Sequence, residues 1–532
     1  MKLKYICCIG LITFAFSACS DLQEKTFGQM DENSYFKTDD QLKAATAACY
    51  SQLKMITFRN YMMSVEANSD AFCVPTRGTG WYDGGEWRNC EAHNITAVQA
   101  GTYTPQRIWE ETLRHIALCT YNINAISDSD VPSKDIYVSE IRTIRSYLYY
   151  IMSDLFGDMP LLKNEVLDPL NLPVRSPRTE VMDFVISELN DVKDKLPDGG
   201  DDSWFPRMTK QTAEALLARV YLNAEVYYGK AMYDKCLELC NSIINSGKYK
   251  LVDDYYDNFK VDNHITGKDE AIFYIDINNS DVLPNGKPFF NLVGLPGGFK
   301  QKYGLKYGPW NGICLEPSFF NSYDQEDYRF KRMYPGDYWD ERGILFGIQY
   351  NADGTPMMQG SEVVDLRPTE VKMIAEKTTD GARLFKWEPD NTNPYQDNGQ
   401  PIIRYSDILL MKAECLLRLN GVSEEVNTLV NDVRKRNFST DKWSKKLYGA
   451  AYNGKNVELM DIFRERGWEF SGEGLRRIDQ IRFDKQFNTW INAGDFVKDS
   501  PDGRADGDWS KIWPIPQSSI DVNPKLTQNP NY

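Results

Sequence analysis

Apolar residues recur along most of this chain at the spacing of helix faces. From Thr209 to Tyr228, the residues Ala213, Leu216, Leu217, Val220, Tyr221 and Ala224 fall on one stripe, with Thr209 placed as an N-cap. A second stripe follows at once from Ala231 to Ile244, through Cys236, Leu239, Cys240, Ile243 and Ile244, and Gly247 offers a left-handed stop. These two helices predict a hairpin, and the small Ala215 and Ala218 allow close approach. The same pattern pairs Ile136–Leu155 with Thr179–Leu196 and Ile402–Leu419 with Ser423–Arg436. An earlier, interrupted pair uses Leu42, Ala45, Cys49 and Leu53, then Ile108, Leu113, Ile116, Thr120 and Ile123. A single hairpin leaves one apolar face bare, so stacked tetratricopeptide-like hairpins are the expected architecture.

Between Asp253 and Pro401 the pattern changes to Gly, Pro, Asn, Asp and Tyr with brief apolar runs such as Ala271 to Ile275. The expected fold is therefore mainly α, with helical hairpins over 39–252 and 401–532 and a loop-rich capping subdomain over 253–400. The first residues differ again. Lys2 and Lys4, an apolar run from Ile6 to Phe16 too short to span a bilayer, and Ser17-Ala18 before Cys19 form a lipoprotein signal. Residues 1–18 are expected to be removed, Cys19 to be lipidated, and 19–38 to act as a polar tether.

The net charge of −15 falls by two more once Lys2 and Lys4 leave, and no basic recognition stripe appears, so nucleic-acid binding is disfavoured. The cysteines outside the leader are scattered or sit at apolar helix positions. With three histidines and neither Cys-x-x-Cys nor His-Glu-x-x-His, no zinc centre is expected. Asp502 to Asp508 has the carboxylates of a calcium loop but places Arg504 and Trp513 where ligands are needed, so no ion is assigned. No cofactor motif is present.

Aromatic residues make up 13% of the chain, and some fall where no helix face needs them. The loop Ser69–Asn89 sets Trp81, Tyr82 and Trp87 among glycines, with Asp70, Arg77, Asp83, Arg88 and Asn89 nearby. A sugar ring offers an apolar C–H face rimmed by hydroxyls, which suits aromatic platforms with polar neighbours. The same rings could instead pin a long loop to the body. A second loop, Phe299–Pro317, carries Tyr303, Tyr307, Trp310 and Asn311, with Asn311-Gly312 as a turn signal.

Four segments resemble the SusD/RagB family of outer-membrane nutrient-uptake lipoproteins. They are IRSYLYYIMSDLFGDMPLL from Ile144, TKQTAEALLARVYLNAE from Thr209, RERGWEFSGEGLRRIDQIRF from Arg464, and the tail PIPQSSIDVNPKLTQNPNY. The resemblance implies a tetratricopeptide-bearing body, lipid-anchored on the outer membrane and facing the cell surface. Its implied partner is a SusC-like TonB-dependent transporter, to which it passes oligosaccharide or, in some members, peptide. It places ligand contacts partly in the first aromatic loop, which favours binding over pinning. The expected contact set is Asp70, Arg77, Trp81, Tyr82, Asp83, Trp87, Asn89, Tyr303, Tyr307, Trp310 and Asn311, with Trp81 expected to contribute more than any single carboxylate. Glu469 and Glu473, one helical turn apart, are the only pair considered as a glycosidase acid and base. Arg466, Arg476 and Arg482 at helical distances make a charge-paired helix the simpler account, and no catalytic residue is assigned.

Overall fold

The computed structural model describes residues 35–55, 61–98, 105–163, 170–277, 289–392, 397–490 and 507–532. The leader, Cys19 and nearly all of the tether lie outside them, as does most of the Asp502–Asp508 segment. The long helices are α1 (Asp39–Met55), α2 (Pro105–Ser127), α3 (Lys134–Phe156), α4 (Arg178–Val192) and α5 (Lys210–Leu222). They continue as α6 (Tyr233–Asn245), α7 (Tyr405–Asn420), α8 (Glu424–Lys435), α9 (Leu459–Glu469) and α10 (Arg476–Phe487). From α1 to α8 each helix packs on the next in sequence. Every hairpin thus covers the apolar face its predecessor leaves bare, and the body is the mainly α, tetratricopeptide-like stack that the periodicity predicts.

Local chemistry sets the helix ends. Thr209 caps α5: its hydroxyl accepts from the Thr212 amide at 3.1 Å while Thr212 returns a bond to the Thr209 amide at 3.3 Å. Asn223 breaks this helix before a last turn, Ala224–Tyr228, and Gly247 takes the left-handed conformation beyond α6. The helix expected from Ile402 begins at Tyr405 instead, because Gln400–Arg404 is a strand paired antiparallel with Ala271–Ile275. Both strands are buried throughout, so their apolar runs carry no alternation to distinguish them from helix. Another short pair, Phe72–Cys73 with Cys314–Leu315, joins the stems of the two aromatic loops. One apolar cluster runs from Phe36 to Leu526, and a second fills the space between α7, α8, α9 and α10. All eight described cysteines are buried free thiols.

The family-like tail is a strap across the end of α3. The Trp513 amide donates to the Leu155 carbonyl at 2.7 Å, and Asn529 Nδ2 donates to the carbonyls of Phe156 at 2.9 Å and Trp513 at 2.7 Å.

Beneath the helices lies a network of buried ions. Arg404 pairs with Glu270 at 2.6 Å, Glu469 at 2.7 Å and Glu473 at 2.8 Å. Arg436 and Arg329 also reach Glu469, at 2.7 and 2.9 Å, and Lys386 reaches Glu473 at 2.7 Å. This corrects the expected charge-paired helix. Gly472 and Gly474, both with positive φ, break the chain between α9 and α10, so Glu469 and Glu473 do not share a helix. Arg466 pairs with Asp407 and Asp479, Arg476 with Asp70, and Arg482 with Glu414 and Asp479. Both glutamates are sealed in the interior by guanidinium and ammonium groups, which closes them to a glycosidic bond.

Such pairs tie stability to pH. Burial would push the Glu414 carboxyl up, but Arg482 and Arg418 outweigh it and hold it down at about 2. Its folded pKa lies below its unfolded one, so this contribution is complete above the ordinary glutamate range and drains away as pH falls toward 2. Glu414→Gln is therefore expected to lower stability at pH 7 and to flatten the acid limb below pH ~4.5, read by urea unfolding at several pH values. An unchanged acid limb would show that other carboxylates set it.

Candidate functional site: an aromatic platform on two loops

The two aromatic loops meet. Trp81 Nε1 donates to the Trp310 carbonyl at 2.9 Å, and the two indoles lie with centroids 6.4 Å apart and planes 47° apart. Trp81 has φ +62°, a conformation a tryptophan adopts only when its surroundings hold it. What holds it is Gly312: a Cβ there would stand 2.4 Å from Trp81 Cζ2, so the indole lies flat against bare backbone. The turn role read from Asn311-Gly312 is thus divided. Asn311 takes the positive φ, +52°, and Gly312 provides the close approach.

Around this contact the expected residues separate into framework and surface. Arg77 is buried and spends its guanidinium on main chain: Nε and Nη2 donate to the Gly312 carbonyl at 3.1 and 3.0 Å, and Nη1 to those of Thr378 and Asp380 at 2.9 and 2.8 Å. Asn311 is buried beside it, donating to the Thr378 carbonyl at 2.8 Å and accepting from Arg383 at 2.9 Å. Asp70 accepts a two-pronged bond from Arg476 at 2.6 and 2.8 Å. Trp87 has no exposed surface, and its Nε1 donates to Asp83 Oδ2 at 2.9 Å. Tyr303 packs under Phe385, and burial pushes its hydroxyl far above the ordinary tyrosine range. These five expected contacts, Asp70, Arg77, Trp87, Tyr303 and Asn311, are corrected to supports of the loops. Arg77, Trp87, Tyr303 and Asn311 are buried, and the half-buried Asp70 carboxylate is taken up by the Arg476 fork.

On the surface stand Tyr82, 53% exposed, and Trp310, 40% exposed. Trp81, Asn89 and Tyr307 are half-buried, and Asp83 is exposed. The Arg88 guanidinium lies 5.4 Å over the Tyr82 ring. The result is a tilted set of rings with a carboxylate and a guanidinium at its margin, held by a buried seam at Arg77, Thr378 and Asp380. Sequence reasoning found the rings but not the seam, because Thr378 and Asp380 offer carbonyls rather than side chains to Arg77. Trp81, expected to be mainly a ligand contact, is also an anchor, since its indole bonds and packs across both loops.

Two family models match most of the chain between them. One, described as the SusD family, matches residues 269–532, and the other, described as starch-binding associating with outer membrane, matches residues 24–222. The chain belongs to the SusD family. It is 26% identical over 425 residues to the starch-binding protein SusD of Bacteroides thetaiotaomicron, covering 74% of this chain and 72% of that protein. Its fold is similar to surface glycan-binding protein A from Bacteroides uniformis, with TM-score 0.70, 21% identity, and coverage of 92% of this chain and 99% of that one. It is also similar to surface glycan-binding protein A from Bacteroides thetaiotaomicron in complex with laminarihexaose. There the TM-score is 0.69 and the identity 19%, with 93% of this chain and 100% of that one covered. In this SusD-family chain, the arginine-bearing segments that carried the resemblance are the buried ion network and the strapped end of α3.

Proposed function

We propose that this chain is a non-catalytic, lipid-anchored protein of the outer membrane that binds oligosaccharide at the cell surface and passes it to a SusC-like TonB-dependent transporter. The observation that carries the reading is the exposed indole of Trp310, locked beside Trp81 by a bond to its own carbonyl. An exposed ring held by rigid main chain loses little freedom when a sugar covers it, so most of the burial free energy appears as affinity. The starch-binding relative and the laminarihexaose complex support glycan over peptide. The description of the model matching residues 24–222 supports the membrane. Cys19 behind Ser17-Ala18 supports the anchor. Delivery to a barrel rests on the family relationship.

Titration calorimetry against laminarihexaose, maltoheptaose and a peptide panel, run beside thermal unfolding, tests this. Trp310→Ala is expected to cost about 1–2 kcal/mol of glycan binding, about tenfold in Kd, with little change in Tm. Trp81→Ala is expected to weaken binding similarly and also to lower Tm, because it removes a packed, hydrogen-bonded anchor. Binding confined to peptides, or glycan affinity unaltered in Trp310→Ala, would overturn the reading.

A further inference from the structure

Several cationic side chains of the two aromatic loops and of the adjoining seam have no ion-pair partner among the described residues. The chain is acidic overall, and most of its buried and half-buried arginines are paired with carboxylates or main-chain carbonyls. Arg88 is an exception: among the described residues no carboxylate lies within ion-pair distance of it. Its Nε is sealed from solvent without a hydrogen-bond partner, and its guanidinium is held over the Tyr82 ring. The acids nearest in sequence, Glu86 and Glu91, are buried and lie outside ion-pair distance of it, and Asp83 turns Oδ2 to the Trp87 indole. The loop that carries Trp310 adds Lys300 and Lys306, both exposed, and half-buried Lys302, with its one carboxylate, Glu316, buried away from them. Lys377 is exposed next to Thr378, whose carbonyl joins Arg77 and Asn311. None of these four lysines has an ion-pair partner among the described residues.

A neutral sugar needs rings and hydroxyl partners. It gives a half-desolvated guanidinium over a ring nothing that water does not give. A carboxylate or sulfate does better, since a planar guanidinium binds either through two parallel bonds. Resting on the glycan-binding reading above, we infer that the oligosaccharide taken by this platform is anionic, with an acidic substituent set against Arg88 while a ring face covers Trp310. The flanking lysines raise the local concentration of such a ligand around an otherwise repelling, acidic protein.

The detergent-solubilised full chain is titrated with laminarihexaose, a hexagalacturonate and a sulfated heparin hexasaccharide. At least one acidic probe is expected to bind on the order of tenfold more tightly than laminarihexaose, and the better of the two identifies carboxylate or sulfate as the substituent. That advantage is expected to shrink severalfold between about 50 and 200 mM salt, to vanish in Arg88→Gln, and to survive in part in Arg88→Lys. Circular dichroism and Tm establish that each variant is folded. Laminarihexaose binding as tightly as both acidic probes, or an acidic preference intact in Arg88→Gln, overturns the inference and leaves glycan binding standing. Binding of none of the three overturns the underlying reading as well.

Discussion

Replacing Arg404 by methionine is expected to destabilise the protein by about 3–5 kcal/mol, because it strands buried carboxylates rather than deleting a single contact. The guanidinium has no exposed surface and meets Glu270, Glu469 and Glu473, while also donating to Ser406 Oγ and the Glu469 carbonyl, both at 2.9 Å. These partners lie at the start of one strand, the end of α9 and the turn before α10, so one side chain closes three separate pieces of chain. Methionine matches much of the volume but none of the charge. Lys386 remains for Glu473, and Arg436 for Glu270 and Glu469, so the loss stops short of three isolated charges. Arg404→Lys is expected to recover only part of the stability, since one ammonium cannot reproduce the fork. The comparator is Arg464→Ala, whose side chain is 55% exposed and lies 3.8 Å from Asp461, and it is expected to change stability by less than about 0.5 kcal/mol. Urea unfolding midpoints read all three. An Arg404→Met protein as stable as its parent would show that the network tolerates the gap, through water or carboxyl protonation.

Adding one methyl group at Gly312 is expected to disable the aromatic platform. The new Cβ would stand 2.4 and 2.5 Å from two ring atoms of Trp81. The backbone cannot yield easily, because the Gly312 amide donates to the Val293 carbonyl while its own carbonyl accepts twice from Arg77. The indole must therefore leave, breaking its bond to the Trp310 carbonyl and freeing both loops. We expect Gly312→Ala to cost about 1–3 kcal/mol of stability and at least the glycan affinity lost in Trp81→Ala. The double variant Gly312→Ala/Trp81→Ala distinguishes a clash from a general weakening. With the ring gone the methyl has room, so the double variant is expected to be no less stable than Trp81→Ala alone. Additive losses would place the damage elsewhere.

Several elements were legible before any fold was known. The periodic stripes of α5 and α6, the Thr209 cap and the Gly247 stop depend on residues within a few positions of one another, and local spacing records such interactions directly. The same holds for the aromatic loops, conspicuous because glycines and rings fall there without helical order. Long-range partners leave no such trace. Arg404 and Glu270 lie 134 residues apart, so only the paired strands reveal that they meet. Trp87 and Trp81 look alike in sequence, yet one is entombed on the Asp83 carboxylate and the other lies across Gly312. Arg77 reads as a sugar contact until main-chain carbonyls from 312, 378 and 380 surround it.

The sequence alone determined the helical stack, the family and the two loops in which ligand chemistry is concentrated, because each is written in near-neighbour pattern. Tertiary structure decided which rings and charges in those loops remain available. That depends on what the fold brings against each side chain: carbonyls against Arg77, Arg476 against Asp70, and the Tyr82 ring, with no described carboxylate in reach, against Arg88.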